Sequence, residues 1–391
     1  MILTNKQEEG LKVAVERFHN NEKYTVISGY AGSGKSTLVR FIVAALGVEE
    51  ENICYATFTG KAAQVLLKKG NKNVSTLHKL LFTHVPMPDG TFLRRPVESI
   101  PYDIIIVDEC SMAPKELVNQ LFKYPVYIIF LGDPGQLPPI NPEDDNHLLD
   151  HPHVFLDEIM RQAQESEIIR ISMDIREGKP LQLFNGQDLK IFDKSDLSTG
   201  MLMWADQILC ATNAKRVALN NQMRDLLGRE GGPKSGDKVI CLRNYWDTIA
   251  ANGDPLVNGT VGFIDNAYET TRKYPYYVNG GGSFEVVSAF FTSDSDAAFP
   301  ELSMDKKLII EGVEGIDWKT KYQLKRSKKY SWMVPFEFTY GYAITTHKAQ
   351  GSQWDKVLVC EEGFPTSKAE HQRWLYTAVT RASEKLVVIR K

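Results

Sequence analysis

The chain has 391 residues, 43% of them hydrophobic and 24% charged, with a formal net charge of −3. This length implies two to four domains. Its apolar runs, such as 126–131, are strand-sized, which excludes a membrane span, and the near-neutral charge excludes a surface that coats nucleic acid wholesale while leaving room for a local basic channel. The opening residues Met1, Ile2, Leu3, Thr4 and Asn5 lack the charged-then-apolar pattern of a secretory signal. Cys54, Cys110, Cys210, Cys241 and Cys360 are scattered without a C-x-x-C pair. They read as reduced thiols of a cytoplasmic protein rather than as disulfides or metal ligands.

In chain order, Leu3, Thr4, Asn5, Lys6 and Gln7 lead into Leu11, Val15 and Phe18 at helical spacing. Gln7 on its own reads as a solvated side chain. Thr25, Val26 and Ile27 predict a strand, and 38–46 a helix stopped by Gly47. Between them stands Gly29-Tyr30-Ala31-Gly32-Ser33-Gly34-Lys35-Ser36-Thr37, which fits G-x-x-x-x-G-K-[ST] at Gly29, Gly34, Lys35 and Ser36. Glycines let such a loop wrap a polyphosphate, with amide N–H groups from Ala31, Gly32, Ser33 and Thr37 and the helix N-terminus facing the negative charge. Lys35 suits the β- and γ-phosphates and Ser36 a Mg²⁺ ion. A nucleoside triphosphate is the implied ligand.

Residues 53–58 predict the next strand, running through Thr59, Gly60 and Lys61 into a helix. Ser75 reads as the N-cap of a short helix over 75–81 that carries Thr76 and His78. Asp89-Gly90 marks a small hairpin over 85–96 with Phe92 near its tip. The stretch 102–109, apolar through 104–107, ends in Asp108 and Glu109, the pattern of a buried parallel strand that delivers carboxylates to the sheet edge. The run 126–131 repeats that design and ends in Gly132-Asp133-Pro134-Gly135-Gln136-Leu137-Pro138-Pro139. Strands alternating with helices predict a parallel α/β sheet.

A helix is predicted over 156–178, bearing Arg161, Arg170 and Arg176, with the last two read as surface or inter-lobe salt-bridge residues. A strand over 207–213 and a helix over 214–227 follow, closed by Gly231-Gly232-Pro233. From 234 to about 333 helical periodicity fades and Asn-Gly turns with β-branched and aromatic runs predict an inserted β-domain. Within it Lys306-Lys307 and Ser327-Lys328-Lys329 read as solvated loop charges. Residues 337–347 return to the α/β framework, and 357–360 and 386–389 supply its closing strands.

The ordered blocks resemble superfamily 1 helicases of the 5′→3′ branch, the RecD-type and Dda-type enzymes (superfamily 1B). They are 3–7, 29–37, 56–63, 75–81, 107–112, 131–138, Arg161, 341–354 and 376–386. Gly-Asp-Pro-Gly-Gln-Leu-Pro-Pro, Thr-Thr-His-Lys-Ala-Gln-Gly-Ser and Tyr-Thr-Ala-Val-Thr-Arg-Ala are the specific ones. The resemblance implies an α/β fold of two RecA-like parallel-sheet P-loop domains, with a β-hairpin inserted in the first and an SH3-like β-barrel in the second. The first domain would span 1–160, with the hairpin over 84–100 as a candidate strand-separating pin. The second would use 161–233 and 334–391, with 234–333 as the barrel. Its small size and the lack of a nuclease or zinc module lean by analogy towards a minimal, phage-type enzyme.

By position, the resemblance implies ATP and Mg²⁺ as cofactors. Asp108 binds the metal with Ser36, and Glu109 activates water. Gln7 reads the adenine edge, Gln136 and Asp133 sense the γ-phosphate, Arg161 and Arg381 act as arginine fingers, and Gly351 approaches the nucleotide. DNA contacts would come from Thr59, Lys61, Thr76, His78 and Phe92 in one lobe. Thr212, Asn213, Thr345, Thr346, His347 and Lys348 would supply them in the other. Alone, His78 and His347 read as structural histidines; the motifs turn that reading. The implied activity is ATP-driven 5′→3′ movement on single-stranded DNA with unwinding at forks, by a monomeric cytoplasmic motor that works with a single-strand-binding, replication or recombination partner. An RNA helicase or RNA-stimulated NTPase and an ATP-switched, non-unwinding DNA clamp remain alternatives from the residues alone.

Overall fold

Short runs of Ile and Val, each followed by a helix, set up two parallel sheets in this chain. The computed structural model describes residues 3–86, 92–139, 141–160, 165–363 and 367–391, and the side chains at 84–86, 92, 93 and 142 lie outside that description. Contacts divide the chain into two units. Met1–Thr83, Pro96–Thr212 and Thr345–Lys391 form one, and His84–Arg95 with Asn213–Ile344 the other.

The first sheet uses β1 (Tyr24–Gly29), β2 (Ile53–Thr57) and β3 (Val74–Thr76). A two-stranded ribbon, β4 (Phe82–Pro86) and β5 (Phe92–Pro96), intervenes, and β6 (Ile104–Asp108), β7 (Tyr127–Gly132) and β8 (Val154–Leu156) complete the sheet. The order is β3-β2-β6-β7-β1-β8 with every printed pairing parallel. β6 shows why the run must lie in the middle. Ile104 and Ile106 enter one core face with Leu38 and Ile42, while Ile105 and Val107 enter the other with Leu77 and Leu117. Each such side chain removed from water contributes about 1.5–3 kcal/mol. Because the strands are parallel, the loops that follow β1, β6 and β7 leave from the same edge of the sheet.

β9 (Phe184–Asn185), β10 (Leu189–Asp193) and β11 (Gln207–Cys210) begin a second sheet. The chain then builds the other unit from β12 (Lys238–Cys241), β13 (Tyr245–Ile249), β14 (Pro255–Leu256), β15 (Val261–Tyr274), β16 (Gly282–Ser293), β17 (Ala298–Asp305) and β18 (Phe338–Tyr340). Five of these make an antiparallel sheet in the order β17-β16-β15-β12-β18. The helix Asn213–Leu226 belongs to this unit, tied by buried Asp237, which accepts from Arg224, Arg229, Tyr342 Oη and Lys234 N. β19 (Ala343–Thr345), β20 (Trp354–Cys360) and β21 (Ala382–Arg390) complete the second sheet, ordered β19-β11-β20-β21-β10-β9.

Four sequence expectations are corrected. The helix read over 156–178 is shorter: Val154–Leu156 is a strand paired with Ile27–Gly29, and the helix is Glu167–Arg176, capped by Ser166. Ser75 lies in β3, paired with Ala56, so Thr76 is the N-cap of Leu77–Leu81 and accepts from Lys79 N. Lys306 and Lys307 open the helix Lys306–Glu311, capped by Asp305, rather than a loop. Lys306 is ion-paired with Glu269 and Glu285. A second helix, Trp318–Arg326, also breaks the all-β expectation for this stretch.

Candidate functional site

The site is built at the carboxyl edge of β1, β7 and β6, with β7 between the phosphate-loop strand and the acidic strand. After Gly29 the loop turns through Gly32 and Gly34, both at φ 79°, a left-handed backbone that suits glycine. Gly34 is the N-cap of Lys35–Leu46 and brings no side-chain cap, so the first helical N–H groups face the loop. Lys35 Nζ donates to Gly29 O at 2.6 Å and Tyr30 O at 3.1 Å, which lays the ammonium across the cradle.

The loop has no slack for larger residues. A Cβ on Gly29 would stand 2.6 Å from Ser33 Oγ, and one on Gly34 2.4 Å from Gln7 Nε2. Ser33 Oγ and Gln136 Oε1 are buried with no hydrogen-bond partner among the described residues. Narrow glycine walls, oriented N–H donors and an ammonium fit a polyphosphate.

Gln7 is buried, 1% exposed, not solvated as its isolated reading implied. Its Oε1 accepts from Thr4 N while Thr4 Oγ1 accepts from Gln7 N, a closed capping box. Its Nε2 donates to Ser33 O at 3.2 Å, which fixes the amide against the loop.

At the end of β6 Asp108 Oδ1 accepts from Glu109 N at 2.9 Å. Burial raises the Asp108 carboxyl above its usual range, against that hydrogen bond and the Lys35 charge. Burial and then the Asp108 charge raise Glu109, opposed by Arg381 and Lys35. Glu109 itself adopts φ 53°, ψ 44°. Lys35 thus favours the charged form of both carboxylates, and Arg381 that of Glu109.

The loop after β7 is held by the helix Lys368–Val379 and by Gln350. Tyr376 Oη donates to Asp133 Oδ2 at 2.7 Å and accepts from Ala31 N at 2.9 Å. Asp133 Oδ1 accepts from Gly135 N. Thr377 Oγ1 accepts from Leu137 N and Gln350 Nε2 donates to Leu137 O, both at 2.9 Å. A Cβ on Gly135 would come 2.9 Å from the Tyr376 ring, so glycine is required for this approach. Arg381 is oriented by its own lobe, donating to Thr377 O, Ser352 O and Thr380 Oγ1.

Other candidate residues are placed as follows. Arg161 lies outside the described residues, and Phe92 opens β5 with its side chain outside the description. Gly351, at φ 75°, packs against Ala62 and Thr59 across the lobes. Thr59 and Thr76 cap their helices, and Ser36, Asn213 and Lys348 are exposed. Lys61 and Thr37 are half-buried. The His78 ring lies tilted against Phe58, with centroids 5.7 Å apart. Thr212 Oγ1 donates to Glu362, and Thr345 N-caps the short helix Thr346–Ala349. Thr346 is fully buried and donates to Cys210 O, which turns it inward. Burial lowers the His347 pKa. Among the described residues Arg176 has no salt bridge, and it is not free surface: its guanidinium lies over the Tyr30 ring. Sequence reasoning missed Tyr30, Gln350, Tyr376 and Thr377, although all four stand inside blocks it had singled out. Among the described residues no cluster of three or more His, Cys, Asp or Glu is arranged to hold a metal, and no helix is long and apolar enough to cross a membrane.

Residues 4–193 match the AAA domain family and 340–389 the UvrD-like helicase C-terminal domain, together more than half of the chain. The ATP-dependent RecD2 DNA helicase of Deinococcus radiodurans is 27% identical over 394 residues, covering 93% of this chain and 46% of that protein. The ATP-dependent DNA helicase dda of Enterobacteria phage T4 is 28% identical over 198 residues, covering 45% and 43%. The chain thus matches less than half the length of each of these two relatives. The Pif1 helicase from Bacteroides in complex with ADP-AlF3 and ssDNA aligns with a TM-score of 0.57 at 18% identity, over 99% of this chain and 92% of that one. That likeness establishes the α/β, RecA-like parallel-sheet core. With matches to an AAA domain and a UvrD-like helicase C-terminal domain in order along it, the chain is similar to DNA helicases of the RecD and Dda types.

Proposed function

We propose that the chain is an ATP-dependent DNA helicase that translocates 5′→3′ on single-stranded DNA and unwinds duplex DNA. The observation that carries this reading is the bridge made by Tyr376 of the helix Lys368–Val379, whose hydroxyl accepts from Ala31 N in the phosphate loop and donates to Asp133 in the loop after β7. Lys35 and the loop N–H groups bind the β- and γ-phosphates of ATP. Glu109 takes a proton from water as its oxygen attacks the γ-phosphorus and the bond to the ADP oxygen breaks. Gln136 orients that water, and Arg381 with Arg161 meets the charge spreading over the equatorial oxygens. Ser36 and Asp108 would hold Mg²⁺, which neutralises phosphate charge.

Loss of the γ-phosphate removes the charge that draws the second lobe in, and Tyr376, Thr377 and Gln350 transmit the change to the loop after β7. Thr59, Lys61 and His78 in one lobe and Thr212, Thr345, His347 and Lys348 in the other grip the strand backbone alternately. Asn213 and the helix-capping Thr76 support the same track, and Thr346 positions it from beneath. The ribbon β4–β5, with Phe92, acts as a strand-separating pin. The antiparallel sheet of the second unit corresponds to an SH3-like barrel. The motor works as a monomer on forks in the cytoplasm.

Fluorescent forks with a single 5′ or 3′ tail test the reading, alongside DNA- and RNA-stimulated ATP hydrolysis. Unwinding from the 5′ tail alone is the expected result. Unwinding only from the 3′ tail overturns the polarity, stimulation by RNA alone moves the substrate to RNA, and DNA-dependent hydrolysis without unwinding or movement makes the chain a clamp. Phe92→Ala should reduce unwinding while translocation is preserved.

A further inference from the structure

The second unit carries a face that the motor chemistry does not use. Between Trp318 and Trp332 stand Lys319, Lys321, Lys325, Arg326, Lys328 and Lys329, with no acidic residue, in a chain whose net charge is −3. The stretch is not a loose tail. Asp317 caps the helix Trp318–Arg326 by accepting from Lys319 N and Thr320 N, and a short turn, Ser331–Met333, follows. Leu324 and Met333 anchor it in a small core with Val278, Phe284, Val286 and Ile316. One side of the segment is thereby fixed, and the other is presented to solvent.

What is presented combines cations with large aromatic rings. Trp318 is 70% exposed and Trp332 65%. Cations lie beside the rings: Arg272 is 4.9 Å over Trp332, Lys329 5.3 Å over Tyr330 and Arg326 5.7 Å over Tyr322. A cleft of about 710 Å³ runs beside the helix, with Trp318, Tyr322 and Lys325 on one side and Arg243 and Trp246 on the other. Lys321 and Arg243 are ion-paired, with Glu314 and Glu337 and with Glu337 respectively, and Asp247 also lines the cleft, so the positive charge offered to a ligand comes from Lys319, Lys325, Arg326, Lys328 and Lys329 along the segment.

A basic helix alone is ordinary solvated surface. Five cations besides the paired Lys321, in a stretch that itself carries no carboxylate and is flanked by exposed tryptophans, are a different pattern. Phosphates answer the cations, and unstacked bases answer the open indole faces; a duplex offers the first but not the second. We propose that the helix Trp318–Arg326 and the turn through Trp332 form a second single-stranded DNA-binding surface, distinct from the motor loops, where Lys and Arg meet phosphates and Trp318 and Trp332 stack on bases. It goes beyond the motor reading and does not require ATP hydrolysis.

The test is binding of the full chain to fluorescent oligothymidylate by anisotropy across a salt series, with nucleotide omitted. Trp318→Ala/Trp332→Ala should bind about tenfold or more weakly, since each stacked base is lost with its ring. Lys325→Gln/Lys328→Gln/Lys329→Gln should flatten the log K against log salt plot by about two, at about 0.7 per phosphate contact on a single strand. Both variants should keep the wild-type melting temperature and DNA-independent ATP hydrolysis, which separates loss of this surface from loss of the fold or of the motor. Wild-type affinity and salt slope in both variants would overturn the proposal. So would equal losses on blunt duplex, which would leave only charge. Binding to phosphatidylserine vesicles that the variants lose while oligothymidylate binding stays intact would assign the surface to lipid instead.

Discussion

The Arg176 guanidinium carbon lies 3.6 Å from the centre of the Tyr30 ring, so a residue of the second lobe stacks on the phosphate loop of the first. Arg176 Nη1 is buried without a hydrogen-bond partner among the described residues, which leaves the ring as its principal attraction. A partly desolvated cation–π pair contributes about 0.5–2 kcal/mol. Tyr30→Leu and Arg176→Ala should therefore each raise the KM for ATP by roughly 2–30-fold, whereas Tyr30→Phe keeps the π face and stays near wild type. The double variant should be no worse than either single one in steady-state ATPase assays. A Phe variant as impaired as the Leu variant would refute the stacking role.

Glu109 should impose a pH dependence on hydrolysis. Burial and the Asp108 charge hold its carboxyl above the usual range. DNA-stimulated turnover should rise with pH through a value above an ordinary glutamate's, and Glu109→Gln should lose about 10²–10⁴-fold in kcat while still binding ATP. The stability effect has the opposite sign. A carboxyl whose pKa is raised by folding contributes stability below its unfolded pKa and loses it as pH rises through the folded one. Without metal or nucleotide, Glu109→Gln should melt higher than wild type at pH 8, with the gap narrowing as pH falls. A constant gap across that range would show that the ionised carboxylate is not its source.

The hydroxyl of Tyr376 can be removed without disturbing its buried ring. Tyr376→Phe deprives Asp133 of a donor and Ala31 N of an acceptor. Loss of a hydrogen bond to a charged group costs about 1.5–3 kcal/mol, so stimulation of hydrolysis by DNA should fall about tenfold or more. Binding of a fluorescent ATP analogue should change much less. Full stimulation in the Phe variant would mean that the lobes communicate by packing alone.

Gln7 has two structural tasks, and its loss should be seen in two measurements. Without its side chain the capping box at Thr4 opens, at a cost of about 1 kcal/mol, which lowers the melting temperature by a few degrees. Its amide also faces Ser33, so Gln7→Ala should relax the preference for ATP over GTP in competition assays. Unchanged nucleotide preference would reduce the residue to a helix cap.

Much of the phosphate loop and the acidic strand was legible in the sequence, because their chemistry forces a local pattern. Gly34 must be glycine for backbone reasons, and the apolar run into Asp108 must be a central strand. The elements misread were those set by distant partners. Leu156 became a strand residue because β1 offered it an open edge at Gly29. Ser75 lost the cap to Thr76 through its register with Ala56. Tyr376 and Arg176 were invisible as site residues for a related reason. A buried tyrosine on a helix and an arginine near a helix end look the same in sequence whether they face their own core or another lobe's loop.

Glu109 occupies the left-handed region at φ 53°, where a side chain is strained by about 1–3 kcal/mol and a glycine is not. A library of this chain ranked by resistance to heat would therefore favour Glu109→Gly, a variant without the proposed base, over the wild type. Selection for catalysis and selection for robustness pull in opposite directions at this one position, and thermal ranking alone would discard the residue proposed as the base.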